Sequence, residues 1–218
     1  MLSANEENHL RLVGPLCAEL AKDQSAEFAF LDGEFETEPG PGVAGHFEPP
    51  YFSYFAWPRS TICSDADDRT VEEAYEQLYE TLEDDEVGFD GLIGFSHGAT
   101  LAFGFLVHHA KSRPTQPIRN LGIRCAVFIC SLPPFRQAPT GELLFDEGMA
   151  GYLEIPSLVI AGRKDFVHEH TLRLAKLCGP APSRMLVHDR GHEIPGDPRN
   201  VREMAAAVRQ LCQVAMLT

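Results

Sequence analysis

A G-x-S-x-G pentapeptide lies near the middle of the 218-residue chain, at Gly94-Phe95-Ser96-His97-Gly98. The short apolar run Leu92-Ile93 precedes it and a long apolar stretch follows, so the pattern indicates a strand, a sharp turn and a helix. In that context a serine is presented as a nucleophile, and flanking glycines leave room for a strained turn. The backbone N–H of His97, at the helix start, would then face the oxyanion formed on an attacked carbonyl. A chance match in an ordinary turn is the alternative.

A serine hydroxyl needs a base to take its proton, and that base needs a carboxylate to hold its tautomer. Asp165 follows a predicted strand at 155–161, and His192 follows another at 185–188. The chain order Ser, Asp, His is one in which such triads occur. The sequence therefore predicts Ser96, Asp165 and His192 as nucleophile, acid and base.

Other residues could take these roles. Asp165 could simply cap the helix that follows it, and Asp189 is a second candidate acid, although it lies close to His192 in sequence. The remaining histidines and the six scattered cysteines show no metal-ligand spacing, so we expect no metal and no cofactor. We call the turn at residues 94–98 the elbow, and a thiol enzyme is disfavoured because no cysteine occupies the nucleophile position there.

The elements that would position these residues alternate along the chain. Helices are predicted at 3–23, 69–87, 97–111, about 166–178 and about 198–213, and strands at 27–31, before Gly94, at 124–130, 155–161 and 185–188. This order favours an α/β fold with a mostly parallel sheet flanked by helices, whose ligand sites lie outside the carboxyl ends of the strands. We expect one domain over 1–218. The Pro-rich insertion 132–152 is a candidate lid or, equally, a plain surface excursion.

An aromatic segment lies in the irregular region between the 27–31 strand and the next helix. Its rings are Tyr51, Phe52, Tyr54, Phe55 and Trp57. They form either one wall of an apolar substrate cleft or the packed interior of an Ω-loop.

The net charge of −14 disfavours nucleic acid and anionic membranes as partners. Residues 1–109 hold 22 acids against 4 Lys/Arg, whereas residues 110–218 hold 10 acids against 14, so an acidic partner would dock on the C-terminal half. No apolar run is long enough to cross a bilayer and the N-terminus lacks the pattern of a secretion signal, so we expect a cytoplasmic protein.

Several of these segments resemble the fungal FSH serine hydrolases, a branch of the α/β-hydrolases. The matching segments are 11–16, 28–33, 88–99, 155–165 and 191–195. The resemblance implies an α/β-hydrolase fold with Ser96, Asp165 and His192 as the triad. It also implies a small-molecule acyl substrate in fungal secondary metabolism, held as an ester or as a thioester that links an acyl or polyketide chain to a carrier protein.

The sequence departs from this family at its start and at the elbow. Family members begin with a strand and a His-Gly loop that donates the second oxyanion N–H, whereas here we expect the strand to be absent and the chain to start at or inside the loop. Either the chain is an N-terminally shortened form, or Leu2-Ser3-Ala4 serves as what remains of the loop. His97 stands where the family often has Gln or Glu, which we expect to tune activity rather than abolish it. The alternative hypothesis is therefore a binding protein of hydrolase ancestry with an impaired oxyanion hole.

Overall fold

The computed structural model describes residues 6–39, 49–62, 64–84, 88–179 and 181–217. The helices in these ranges are α1 (Glu6–Ala21), α2 (Ser64–Asp84), α3 (His97–Ser112), α4 (His168–Leu177) and α5 (Pro198–Leu217). The strands are β1 (Phe35–Thr37), β2 (Tyr51–Ser53), β3 (Gly91–Phe95), β4 (Cys125–Ile129), β5 (Phe135–Gln137), β6 (Leu143–Phe145), β7 (Ser157–Gly162) and β8 (Ser183–His188).

The central sheet is parallel and has the strand order β3-β4-β7-β8. Its inner strands β4 and β7 are buried at every residue. Strands covered on both faces need apolar side chains on both faces, which is why these two are nearly continuous apolar runs in the sequence. The predicted α/β architecture is confirmed.

Side chains of β4 alternate between two apolar cores, one on each face of the sheet. Ala126 and Phe128 join a core made largely with α2 and α3. Val127 and Ile129 join a second core made with α1 and α5. The sheet is therefore a middle layer between two helical layers, and its strand ends are held rigidly from both sides.

The predicted helices are confirmed where the structure describes them, although α2 begins at Ser64 rather than at 69, and the predicted ends at 3–5 and 85–87 lie outside the described residues. Val201, Met204, Val208 and Leu211, which share one face of the last helix, are all buried. That helix runs to Leu217 rather than to about 213 because no glycine or proline interrupts it. No helix in the described ranges combines the length and apolar character that crossing a bilayer demands.

The strand predicted at 27–31 is wrong. This segment forms no strand or other regular element in the structure. A strand needs a neighbouring backbone for its hydrogen bonds, and within the described residues β3 is the edge of the sheet on this side. Side chains bind carbonyl groups at the end of the segment instead, since Tyr54 Oη donates to the Leu31 carbonyl at 3.1 Å and Gln77 Nε2 donates to the carbonyl of the next residue, Asp32, at 3.3 Å.

The insertion 132–152 contains the antiparallel pair β5-β6, followed by a short 3₁₀ turn at Glu147–Met149. Its Phe135 ring packs edge-on against Trp57, with ring centroids 4.8 Å apart. The insertion is thus joined to the aromatic segment, and its opening as a lid remains a prediction.

Candidate active site

The predicted site residues follow three different strands at one edge of the sheet. Ser96 follows β3, Asp165 lies three residues after β7, and His192 lies four residues after β8. In a parallel sheet all these carboxyl ends meet on the same side. The structure therefore brings together residues that are up to 96 positions apart in the chain.

Ser96 lies on a strained turn between β3 and α3. Its φ of 52° and ψ of −118° are unusual for a residue with a side chain. Gly94 makes the turn possible, because a Cβ there would come within 2.4 Å of the Ala99 backbone. The same reasoning was wrong for Gly98, where a Cβ would lie 3.6 Å from Tyr54 in ordinary contact. Only the glycine on the strand side is required for space.

A continuous hydrogen-bond chain links the three side chains. Ser96 Oγ lies 2.9 Å from His192 Nε2, and His192 Nδ1 lies 3.0 Å from both carboxylate oxygens of Asp165. An ionised carboxylate can only accept, so Nδ1 carries the ring proton and Nε2 presents its lone pair to the serine hydroxyl. The imidazole is thereby oriented to take the proton of Ser96.

Asp165 remains ionised although its side chain is fully buried. Burial pushes the pKa of Asp165 up, but the hydrogen bonds from His192 and from the Val167 backbone outweigh it and leave that pKa below its ordinary value. The Val167 N–H donates to Asp165 Oδ1 at 2.9 Å. Asp165 thus also stabilises the turn that precedes α4, but Val167 is the N-cap of that helix and has no side-chain cap, so the capping role considered for Asp165 is not confirmed.

The second candidate acid, Asp189, points away from this cluster. Its carboxylate accepts a hydrogen bond from Arg163 Nε at 2.9 Å, and 80% of its side chain is exposed. The structure therefore places Asp165, and not Asp189, beside His192.

His97 is the first residue of α3, where backbone N–H groups have no partner within the helix. Its ring is buried against Phe55 and Trp57, with centroids 4.3 and 4.4 Å away, and among the described residues neither ring nitrogen has a hydrogen-bond partner. Burial holds the pKa of His97 well below its ordinary value, so the ring is neutral. The remnant of an oxyanion loop predicted at residues 2–4 lies outside the described residues.

The aromatic segment divides into two groups. Tyr54, Phe55 and Trp57 surround the His97 ring and so approach the elbow. Tyr51 and Phe52 lie instead on the β1-β2 pair and are partly exposed. Phe55 is buried as in a packed loop, whereas Trp57 is only partly buried. Both interpretations of the segment therefore retain support, for different residues.

Two phenylalanines that lie beside His192 were not predicted from the sequence as site residues. The rings of Phe95 and Phe166 lie 5.1 and 4.7 Å from the imidazole, measured between centroids. Phe166 is 70% exposed, which is unusual for so large an apolar side chain. Its position directly after the predicted acid was the available signal.

One cluster among the described residues has the geometry to hold a metal ion. The ligand atoms of Cys130, Asp165 and His192 lie within 4.8 Å of one another. Both ring nitrogens of His192 and the Asp165 carboxylate are already engaged in the hydrogen-bond chain. The donor atoms are therefore arranged for proton transfer.

Comparison with known proteins gives the family. Residues 5–204 match the model of the family described as Serine hydrolase (FSH1). The chain belongs to this family.

Two relatives and one solved structure are similar to this chain. This serine hydrolase is 41% identical to Hydrolase phiM of Talaromyces stipitatus over 191 residues, which cover 85% of this chain and 75% of the relative. It is 25% identical to an Aspergillus terreus protein named dihydromonacolin L–lovastatin nonaketide synthase thioesterase, over 85% of this chain and 80% of that one. The crystal structure of a Bacillus cereus carboxylesterase superposes with a TM-score of 0.59 and 17% identity, over 96% of this chain and 84% of that one. The fold is that of the α/β-hydrolases.

Proposed function

We propose that this serine hydrolase cleaves an acyl ester or thioester through Ser96, His192 and Asp165. The observation that carries the proposal is the hydrogen-bond chain, with 2.9 Å between Ser96 Oγ and His192 Nε2 and 3.0 Å between His192 Nδ1 and Asp165. These are the distances that a general base and its orienting carboxylate require.

In the first half-reaction His192 Nε2 takes the Ser96 proton while Oγ attacks the carbonyl carbon of the substrate. The carbonyl electron pair moves to oxygen, and the backbone N–H of His97 stabilises the resulting negative charge. When this intermediate collapses, His192 gives its proton to the leaving alcohol or thiol. An ester of the acyl group with Ser96 remains.

In the second half-reaction water replaces the leaving group. His192 takes a proton from the water, whose oxygen attacks the acyl carbon, and the bond to Ser96 Oγ breaks. The proton returns to Oγ and the carboxylic acid is released. Asp165 stays ionised throughout and stabilises the imidazolium each time it forms.

We assign the substrate to acyl or polyketide chains, including chains held as thioesters on an acyl carrier domain, in secondary metabolism. Three observations support this assignment: a relative is named as a thioesterase, aromatic rings surround His97 next to the nucleophile, and the excess of positive charge lies in the C-terminal half of the chain.

A fluorophosphonate probe tests the proposed nucleophile. We expect the probe to label the folded protein, Ser96→Ala to abolish labelling, and Ser112→Ala to leave it unchanged, because Ser112 is an exposed residue at the far end of α3. Folded protein that takes up no label would support the binding-protein hypothesis instead.

The leaving group is tested separately. Turnover of an acyl thioester is compared with turnover of the oxygen ester of the same acyl chain. Preference for the thioester supports action on carrier-bound chains, and preference for the oxygen ester removes that part of the proposal.

A further inference from the structure

Cys130 occupies a strained position next to the candidate site. It follows β4 with a φ of 48°, and the other non-glycine residues with positive φ in the described ranges are Gln24 and Ser96. A side chain in this conformation is strained, and such positions cluster at functional sites. Cys130 is also fully buried. A thiol therefore occupies a position at the end of this inner strand that a glycine would adopt without strain.

The thiol lies near the carboxylate of the triad. Its Sγ, a carboxylate oxygen of Asp165 and a ring nitrogen of His192 lie within 4.8 Å of one another. Asp165 already accepts from His192 and from the Val167 N–H. A buried carboxylate with two oxygens has capacity for a further donor.

A second buried histidine determines which way the thiol proton points. The Arg190 backbone N–H donates to His188 Nδ1 at 3.2 Å, so the proton of the neutral ring is on Nε2. His188 Nε2 lies 3.8 Å from Cys130 Sγ and donates to it. With the sulfur accepting from His188, its own S–H must point to another acceptor.

Two acceptors lie near that S–H. One is the Glu193 carbonyl, whose oxygen is 3.8 Å from Sγ, and the other is the Asp165 carboxylate, an oxygen of which lies within 4.8 Å of Sγ. A charged acceptor binds a proton donor more strongly than a neutral carbonyl does. The carboxylate is therefore the preferred partner.

We propose that Cys130 is a positioning residue of the triad, whose thiol, held by His188, donates a hydrogen bond to the Asp165 carboxylate. With three donors around it the carboxylate cannot rotate away from His192 Nδ1, and the imidazole stays aligned with Ser96. This inference rests on the proposed function for its kinetic consequence, but the hydrogen bond itself can be observed without activity. The Cys130 hydrogen bond is also among the interactions that lower the pKa of Asp165.

The test compares Cys130→Ala, which removes the donor, with Cys130→Ser, which restores one. For Cys130→Ala we expect kcat on the preferred ester to fall about five- to tenfold with KM within about twofold, as for the loss of one weak hydrogen bond. Cys130→Ser should recover most of kcat. The matched control is Cys178→Ala, which removes a buried thiol from the core on the other face of the sheet and should leave both constants unchanged.

A spectroscopic readout accompanies the kinetics. The proton between His192 Nδ1 and Asp165 gives a far-downfield ¹H NMR resonance, which should move in Cys130→Ala, return toward its wild-type position in Cys130→Ser, and stay fixed in Cys178→Ala. If Cys130→Ala does not fold, Cys130→Gly removes the thiol while accepting the positive φ without strain.

Unchanged kcat together with an unmoved resonance in the folded thiol-free variant would overturn the proposal. So would a Cys130→Ser variant that behaves like Cys130→Ala, because a packing role alone would then explain both. Failure of the proposed function looks different: the wild-type protein would show neither turnover nor labelling at Ser96, while the resonance would still report the Cys130 contact.

Discussion

At the scale of single residues, the carboxylate decides which ring nitrogen carries the proton. Asp165→Asn can still accept the Val167 N–H, but its amide would donate toward His192 Nδ1 and force the proton onto Nε2. The lone pair facing Ser96 would then be lost. We expect kcat to fall by about 10⁴-fold with the fold intact by circular dichroism.

Asp189→Asn is the control for that variant. It makes the same chemical change in an exposed side chain paired with Arg163, so turnover should stay near wild type. Near-normal turnover in Asp165→Asn, or a large loss in Asp189→Asn, would remove Asp165 from the assigned role.

At the scale of elements, the turn between β3 and α3 depends on one glycine. Gly94→Ala places a Cβ 2.4 Å from the Ala99 backbone, and helix α3 can only move as a unit. We expect the free energy of unfolding to fall by about 3 kcal/mol or more, measured by urea denaturation, and labelling of Ser96 to be lost.

Gly98→Ala is the matched variant on the other side of the serine. Its Cβ meets Tyr54 at an ordinary 3.6 Å, and alanine is the better helix former, so stability should stay within about 1 kcal/mol of wild type. Equal destabilisation by both substitutions would mean that the motif requires glycine for a reason other than space.

The sequence was sufficient to predict the elements whose pattern is local. The elbow, the inner strands and the residues at the strand ends each combine an apolar run with a nearby turn residue. The 27–31 segment has the same alternation, but a strand also depends on its neighbour, which no local pattern encodes. The Cys130–His188 contact could not be predicted either, because it joins two strand ends through buried side chains of ordinary type.

At the scale of the whole molecule, buried histidines make stability depend on pH. Burial lowers the pKa of His97 and of His188 below the ordinary value of 6.5. As the pH drops, the unfolded chain therefore binds protons at these histidines that the folded protein does not bind. Stability is full above the ordinary pKa of 6.5 and falls as the pH drops below it. The urea midpoint should decrease between about pH 7.5 and about pH 5.

His97→Leu provides the control for this pH dependence. It keeps a similar volume and removes one of the titrating rings, so the decrease should become shallower, by up to about 1.4 kcal/mol per pH unit. A wild-type midpoint that stays constant over the same range would contradict the assignment of neutral buried rings.

The asymmetry of charge predicts how a carrier domain would approach. Lys164 is exposed directly beside Asp165, on the loop after β7. For Lys164→Glu we expect KM for a carrier-bound thioester to rise about tenfold, with KM for a small free thioester within about twofold. Lys176→Glu, at the other end of α4, is the control, and equal effects on both substrates would argue against carrier docking at this loop.

The exposed ring of Phe166 allows ligand binding at the site to be followed by NMR. A phenyl group 4.7 Å from the imidazole, and 70% open to water, shifts the resonances of the His192 ring protons through its ring current. An acyl chain that displaced the phenyl group would change those shifts before any bond was cleaved. Candidate substrates could therefore be screened by titration into the Ser96→Ala protein, where binding is visible and turnover cannot consume the ligand.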